Sequence, residues 1–381
     1  MHIAVHQRLS EIDAAQWNAM LEGGNPFMRH EFLNGLEISG CVSEAHGWQP
    51  AHIAVYADTK QQRLLGAMPC YQKNHSYGEY IFDWSWADAY FRHGLDYYPK
   101  LSNAVPFTPA TGPRWLVDTE ADANLIISAL LQRALELVEE RSLSSFHSLF
   151  LTEQQAELCC AQGMSMRHSS QFHWHNRDYP DFDHFLAELS AKKRKNIKRE
   201  RRRVKESDVH YRWLSGAQLQ GDAVAQMHQF YLRTIRYYGA QAYLNRDFFN
   251  HLADHLADQT LFLFAYYEDQ VIAGGLYFKS DNTLYGRYWG ALNNFHSVHF
   301  ETCYYQAIQW CIEHSYQRFE AGAQGEHKLA RGLTPSPTYS AHYMSHPQFQ
   351  QAIDQFLQQE QHHMEGYQRA MQARSPFKQE L

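Results

Sequence analysis

The sequence predicts a mixed α/β fold arranged as two domains that share one order of elements. Three observations carry this. A chain of 381 residues, 44% of them apolar, has more side chain than one ordinary core needs and suggests about two compact units. Strand-like apolar runs stand in groups of three, each group flanked by segments of helical periodicity. The order of elements in the second half repeats that of the first, with no residue-level repeat.

In chain order, helical segments near 13–21 and 30–38 come first. Runs at 51–57 (AHIAVYA), 63–71 (RLLGAMPCY) and 79–86 (EYIFDWSW) then read as three successive strands. The last places Tyr80, Phe82, Trp84 and Trp86 on one face and Asp83 on the other, an aromatic stripe of the kind that usually faces a core. A period-3.6 helix over 123–141 and a strand at 145–151 close the first half. In the second half, helices at 222–238 and 246–257, the latter capped by Asn245, precede strands at 261–267, 271–278 and 283–289, a helix at 300–315 and a strand near 317–322. Helix, helix, three antiparallel strands, helix, strand is the order of a GNAT-type N-acyltransferase domain, here twice. The expected domains are 1–175 and 176–346, the second carrying a basic helix at 190–206. An α+β enzyme of another two-layer kind fits the same string. A helix over 347–372 remains, within a carboxy-terminal segment 347–381 that either returns to the first domain or stands apart. The Pro/Gly-rich loop 97–113 is long enough for a binding or covering role.

Charge is unevenly placed. The net charge of -7 comes from 34 Lys+Arg and 41 Asp+Glu, yet residues 192–205 (KKRKNIKRERRRVK) hold ten basic residues and one acidic. The remainder is strongly acidic, so no DNA partner and no indiscriminate nucleic-acid binding is expected, while a polyanion would meet one concentrated positive site. On a helical wheel the cations cover one broad arc and leave Ile197 and Val204 opposite. The plainer account of this run is a solvated charged helix, or one in peripheral contact with anionic lipid. The six cysteines show no CxxC spacing, and His173/His175 and His362/His363 lack further ligands at zinc spacing, so no metal is expected. The first residues carry no apolar signal core and the longest apolar run, Leu261 to Tyr267, is too short to span a bilayer, which sets the expectation of a cytoplasmic protein.

The stretches GEYIFDWSWADAY (78–90), YYPKLSNAVPFTPATGPRWL (97–116), LSAKKRKNIKRERRRV (189–204) and GAQGEHKLARGLTPSPTYSAH (322–342) resemble the signature blocks of a bacterial family of N-acyltransferases related to the Fem-type peptidoglycan aminoacyltransferases. The resemblance implies tandem GNAT-like domains and transfer of an acyl or aminoacyl group to an amine; the leading expectation for the acceptor is a cell-wall precursor or a similar small molecule. It names neither donor nor acceptor. Residues 290–301 (GALNNFHSVHFE) lack the Gln/Arg-x-x-Gly-x-Gly/Ala spacing by which GNAT domains hold the CoA pyrophosphate, leaving only Gly290. That favours aminoacyl-tRNA over acyl-CoA as donor, with no tightly bound cofactor expected. A non-catalytic module binding peptidoglycan precursors or RNA is the reading from a different class.

Candidate residues follow from this chemistry. Aminolysis of an ester needs an amine relieved of its proton, donors for the oxyanion and a proton for the leaving oxygen. In the glycine-rich loop 322–332, Glu326 and His327 supply a base and a proton shuttle, and Lys328 and Arg331 suit a phosphate or carboxylate. Asp83 is a carboxylate for the acceptor amine, with Trp84, Trp86 and Lys100 as substrate contacts. Glu301, opening the helix after the third strand, is a second candidate base and Tyr305 a leaving-group acid; the simpler account of Glu301 is complementing the helix dipole. Lys192, Arg194, Lys195, Lys198, Arg199, Arg201, Arg202 and Arg203 are the expected tRNA or polyanion contacts, a role the resemblance also implies for this segment.

Overall fold

Two adjacent glycines set the layering of the second half of the molecule. Side chains along a strand alternate between faces. A Cβ on Gly274 would meet the Phe230 ring at 2.8 Å, whereas one on Gly275 would lie 3.4 Å from Thr302, so one strand lets a helix approach from each side. The computed structural model describes residues 1–292, 297–323 and 325–378. The chain divides into two units, residues 1–169 with 337–366 and residues 170–336 with 367–381.

In the second unit, strands His210–Ser215, Thr260–Tyr267, Gln270–Lys279 and Thr283–Ala291 run antiparallel in that order. Arg318–Glu320 then joins Thr283–Ala291 in parallel, and Ser165–His175 pairs antiparallel with Arg318–Glu320. Helix Asp222–Tyr237 packs so closely on this sheet that a Cβ at Gly290 would fall 2.0 Å from the Phe230 carbonyl oxygen. Gly290 is therefore a packing glycine. Helix Arg246–His255 begins where expected, Asn245 accepting from the Phe248 N–H at 3.0 Å. The other face holds a core of Leu261, Leu263, Leu284, Ile308, Trp310 and Phe319.

The first unit carries an antiparallel sheet in the order His2–His6, His52–Tyr56, Leu64–Met68, Leu116–Val117. A second set of strands runs Trp48–Pro50, Cys70–Lys73, Lys100–Asn103, Ser145–Leu151 and then Thr334–Met344, with Lys100–Asn103 and Ser145–Leu151 parallel. Helix Ala123–Glu140 buries Ile126, Leu130, Leu131, Ala134, Leu137 and Val138 against this framework.

Three expectations change. The run 63–71 is two strands in different sheets, because Pro69 has no N–H to continue a ladder. The run 79–86 is no strand: Tyr80 takes φ 58°, and the chain enters helix Trp84–Arg92, whose i,i+4 pair Trp86 and Tyr90 packs with Ile353 and Leu357. The segment 97–113 is interior, Lys100–Asn103 being a fully buried strand. The helix Pro347–Ala373 forms as read, its residues to 366 grouping with the first unit, as do 337–346, which the sequence assigned to the second domain.

Burying Lys100 requires that all three of its N–H donors be used. Its Nζ donates to Ser76 Oγ and Glu79 at 2.8 Å each and to Asp83 at 2.5 Å. Tyr97 also donates to Asp83, at 2.7 Å. Burial pushes the Asp83 carboxyl upward, but the adjacent ammonium outweighs it and holds the group below its ordinary range. Beside this cluster, His147 and His342 meet through their Nδ1 atoms at 2.7 Å, one donating to the other, and burial keeps both rings neutral. Lys100→Met strands two buried carboxylates and is expected to cost about 3–5 kcal/mol in urea unfolding; a loss under about 1 kcal/mol would contradict this account.

Candidate active site

The parallel pair in the second unit is short. Only Thr283–Tyr285 faces Arg318–Glu320, and from Gly286 onward the two strands part. Gly286 to Trp289 on one side and Ala321 on the other line a cavity of about 110 Å³, closed by Tyr277, His299, Cys303 and Tyr304. Trp289 and His299, with ring centroids 4.3 Å apart, are shared with a neighbouring cavity of about 630 Å³ that Arg233, Thr234, Tyr237 and Tyr238 also line.

The helix expected at 300–315 opens with a π-helical turn, Glu301–Tyr305, before continuing as Gln306–Glu313. Such turns insert a residue and redirect side chains, often at functional sites. Here Tyr304 points its hydroxyl at His327 Nε2, 2.8 Å away, and lines the cavity. Tyr305 is fully buried and donates to Glu200. Glu301 accepts from Arg201 at 3.1 Å and from Gln306 at 2.8 Å. Of the two groups assigned catalytic roles on this helix, neither Glu301 nor Tyr305 lines the split; its neighbour Tyr304 does.

The loop after Arg318–Glu320 turns on Gly322, Gly325 and Gly332, all with positive φ, around a 3-10 turn Glu326–Arg331. Gly325 is doubly constrained, since at φ 119° a Cβ would also lie 2.5 Å from the His327 ring. His327 is thereby set against Tyr304. Burial, and then the cations of Arg331 and Lys328, lower its pKa below 6.5, so the imidazole is neutral at pH 7. Glu326 is exposed and meets Arg374 at 3.1 Å and Tyr367 at 3.4 Å, while His327 takes its partner from Tyr304. Lys328 is buried and donates to the Gly322 carbonyl at 2.7 Å, burial lowering its pKa to about 8. Arg331 stacks on Phe300 at 3.6 Å and reaches the His327 carbonyl at 2.9 Å and Glu200 at 3.5 Å. Both cations thus brace the loop.

The basic helix spans Ala191–Glu206 with Ile197 and Val204 buried, as its periodicity predicts. Lys192, Lys195, Lys198, Arg199, Arg202 and Arg203 are exposed and Arg194 is half-buried. Arg201 differs: it packs on Phe182 at 4.3 Å and bonds Glu301 and Gln309, so its charge is turned inward. Asp83, Lys100 and Trp86 lie in the interior of the first unit and Trp84 on its surface, none of them at the split. Of the segment 290–301 that was read for a pyrophosphate loop, residues 293–296 lie outside the described residues.

The sequence reading missed Tyr304, Trp289, His299 and Cys303 as lining groups. A straight 3.6-residue wheel gives Tyr304 no reason to face the strands; the π turn does. The alternation of Trp289 with Arg287 along a strand that leaves its partner was the one available signal.

Two units of mixed α/β structure, the second with the Tyr304–His327 pair beside its strand split, give the chain a GNAT-like fold. The profile of the FemAB-like family, described as peptidoglycan biosynthesis/recognition, matches residues 8–379, and the chain belongs to that family. No curated protein matches the sequence. Solved structures similar in fold include FemX, at 11% identity over 93% of this chain and 100% of that one, with TM-score 0.53. L-PGS from Bacillus licheniformis is 11% identical over 91% of this chain and 97% of its own, with TM-score 0.53. The C-terminal domain of a candidate lysylphosphatidylglycerol synthetase from Agrobacterium fabrum is 8% identical over 91% and 95%, with TM-score 0.54. No helix among the described residues is long and apolar enough to cross a membrane.

Tyr304→Phe removes the hydroxyl at the cavity while leaving the ring in place, and is expected to lower kcat by about 10²-fold or more with little change in stability. Tyr305→Phe, which leaves Glu200 short of a donor, is expected to do the reverse, costing about 1–3 kcal/mol in denaturant unfolding. Equal effects of the two on turnover would remove the distinction.

Proposed function

We propose that the split in the second unit transfers an acyl or aminoacyl group from an ester donor to the amine of a cell-wall precursor. The observation that carries this reading is the Tyr304–His327 pair. The acceptor nitrogen attacks the ester carbonyl and forms the C–N bond, passing its proton to the Tyr304 oxygen as Tyr304 gives its own to His327 Nε2. Collapse of the tetrahedral intermediate breaks the C–O bond, and the stored proton returns through Tyr304 to the leaving oxygen. An amide and an alcohol result, with no covalent enzyme species. The family's description supports a peptidoglycan-related acceptor.

Aminoacyl-tRNA is the proposed donor. The exposed cations of Ala191–Glu206 support it, since Arg and Lys along one face suit phosphate oxygens and bind them in a salt-dependent way. Incubation of the protein with cell-wall precursor and either charged tRNA or acyl-CoA, read by product mass, tests the assignment. Product from charged tRNA is expected; product from acyl-CoA alone would replace the donor, and binding without product would make the chain a recognition module. Converting Arg199, Arg202 and Arg203 to Glu is expected to abolish tRNA binding and leave the fold intact.

Acid inactivation should follow His327. As pH falls through its lowered folded pKa the ring takes up a proton and can no longer accept one from Tyr304, so kcat/KM is expected to fall with an inflection below pH 6.5. In the unfolded chain the same ring protonates nearer 6.5, so its contribution to stability also declines as pH drops. An inflection above 6.5 would rule out this base.

A further inference from the structure

We propose that a groove beside the basic helix recognises the ribose–phosphate backbone of RNA and distinguishes it from DNA. The groove holds about 430 Å³ and shares no lining residue with the strand split. Its rim carries Arg202 and Lys205, both exposed, and Lys205 has no ion-pair partner among the described residues. Tyr211 supplies an aromatic wall. Glu301, only 3% exposed, also lines it. One carboxylate oxygen of Glu301 takes both Arg201 and Gln306, while the other, Oε2, is buried with no hydrogen-bond partner among the described residues.

A buried carboxylate oxygen left without a donor is costly. The pairing of that acceptor with cations on the rim defines the ligand's chemistry: an anion that also carries a neutral donor. Phosphate with the neighbouring ribose 2′-hydroxyl meets both demands, and the 2′-hydroxyl is the group that separates RNA from DNA. A phosphodiester group by itself carries no proton to donate to Glu301, and a DNA strand lacks the 2′-hydroxyl. This inference rests on the proposed use of an RNA-borne donor and specifies how that RNA is told apart.

The test uses the unmodified protein and three synthetic hairpins of one sequence: RNA, DNA and fully 2′-O-methylated RNA. The last keeps the RNA helix shape but cannot donate from the 2′ position. RNA is expected to bind about tenfold more tightly than either of the others. Equal affinity of RNA and its 2′-O-methyl form would overturn the proposal, as would full displacement of the RNA by phosphatidylglycerol vesicles together with no preference for RNA over DNA. In the double variant Arg201→Met/Glu301→Leu, which removes the ion pair as a unit, the preference is expected to disappear; its persistence would place the discrimination elsewhere. Lys205→Gln is expected to weaken RNA and DNA alike and to reduce the salt slope by about one. Preference for RNA without transfer from charged tRNA would sink the proposed activity and leave this groove standing.

Discussion

One carboxylate in a run of ten cations links the elements around the candidate site of the second unit. Glu200 lies on the inner side of the basic helix, accepts from Tyr305 on the π turn and reaches Arg331 at the end of the glycine loop. It thereby adds to the Arg201–Glu301 and Tyr304–His327 contacts in tying the basic helix, the π turn and the loop to one another. With Tyr305 anchored, the extra residue of the π turn carries Tyr304 toward the split. With Arg331 anchored, the loop carrying His327 closes over it. Arg201 beside it also turns inward, while Arg199, Arg202 and Arg203 stay exposed, so the charge of Glu200 balances Arg331 from another element.

The first unit solves a different problem with similar means. Its interior takes in Lys100, Glu79, Asp83, His147 and His342, groups that burial penalises heavily unless every donor and acceptor is matched. Charge is kept where three donors meet two carboxylates and a hydroxyl, and is shed where two rings share one Nδ1 proton. None of these groups reaches a cavity among those described, and they specify the packing of strands Lys100–Asn103 and Ser145–Leu151 with helix Trp84–Arg92.

Much of the architecture was legible in the sequence. Long periodic segments such as 123–141 and 222–238, the strands at 261–267, 271–278 and 283–289 and the basic helix stand where periodicity puts them, whereas strand His210–Ser215 was not read. What was misread has local physical causes. The alternation in 79–86 imitates a strand, but a positive φ at Tyr80 and an i,i+4 aromatic pair turn it into a helix. The charged residues around 322–332 were visible as a site, yet their roles were not: Glu326 looks like the partner of His327 because it is adjacent, whereas in the turn it faces Arg374. Strands Ser165–His175 and Thr334–Met344 went unrecognised because they are rich in polar residues, several of them buried, such as Gln171, His173, Ser340 and His342, which hydropathy does not register as strand.

The division of the chain has a consequence for the order in which the protein can be built. The first unit is completed by residues 337–366, which supply His342 to the buried His147 and Ile353 and Leu357 to Trp86 and Tyr90. Residues 1–169 therefore emerge from the ribosome well before their closing strand and helix. At the usual pace of synthesis of about 5–20 residues per second, that interval lasts about 10–40 s. Through it, the nascent amino-terminal segment presents strand Ser145–Leu151 without its Thr334–Met344 partner and Trp86 and Tyr90 without their cover.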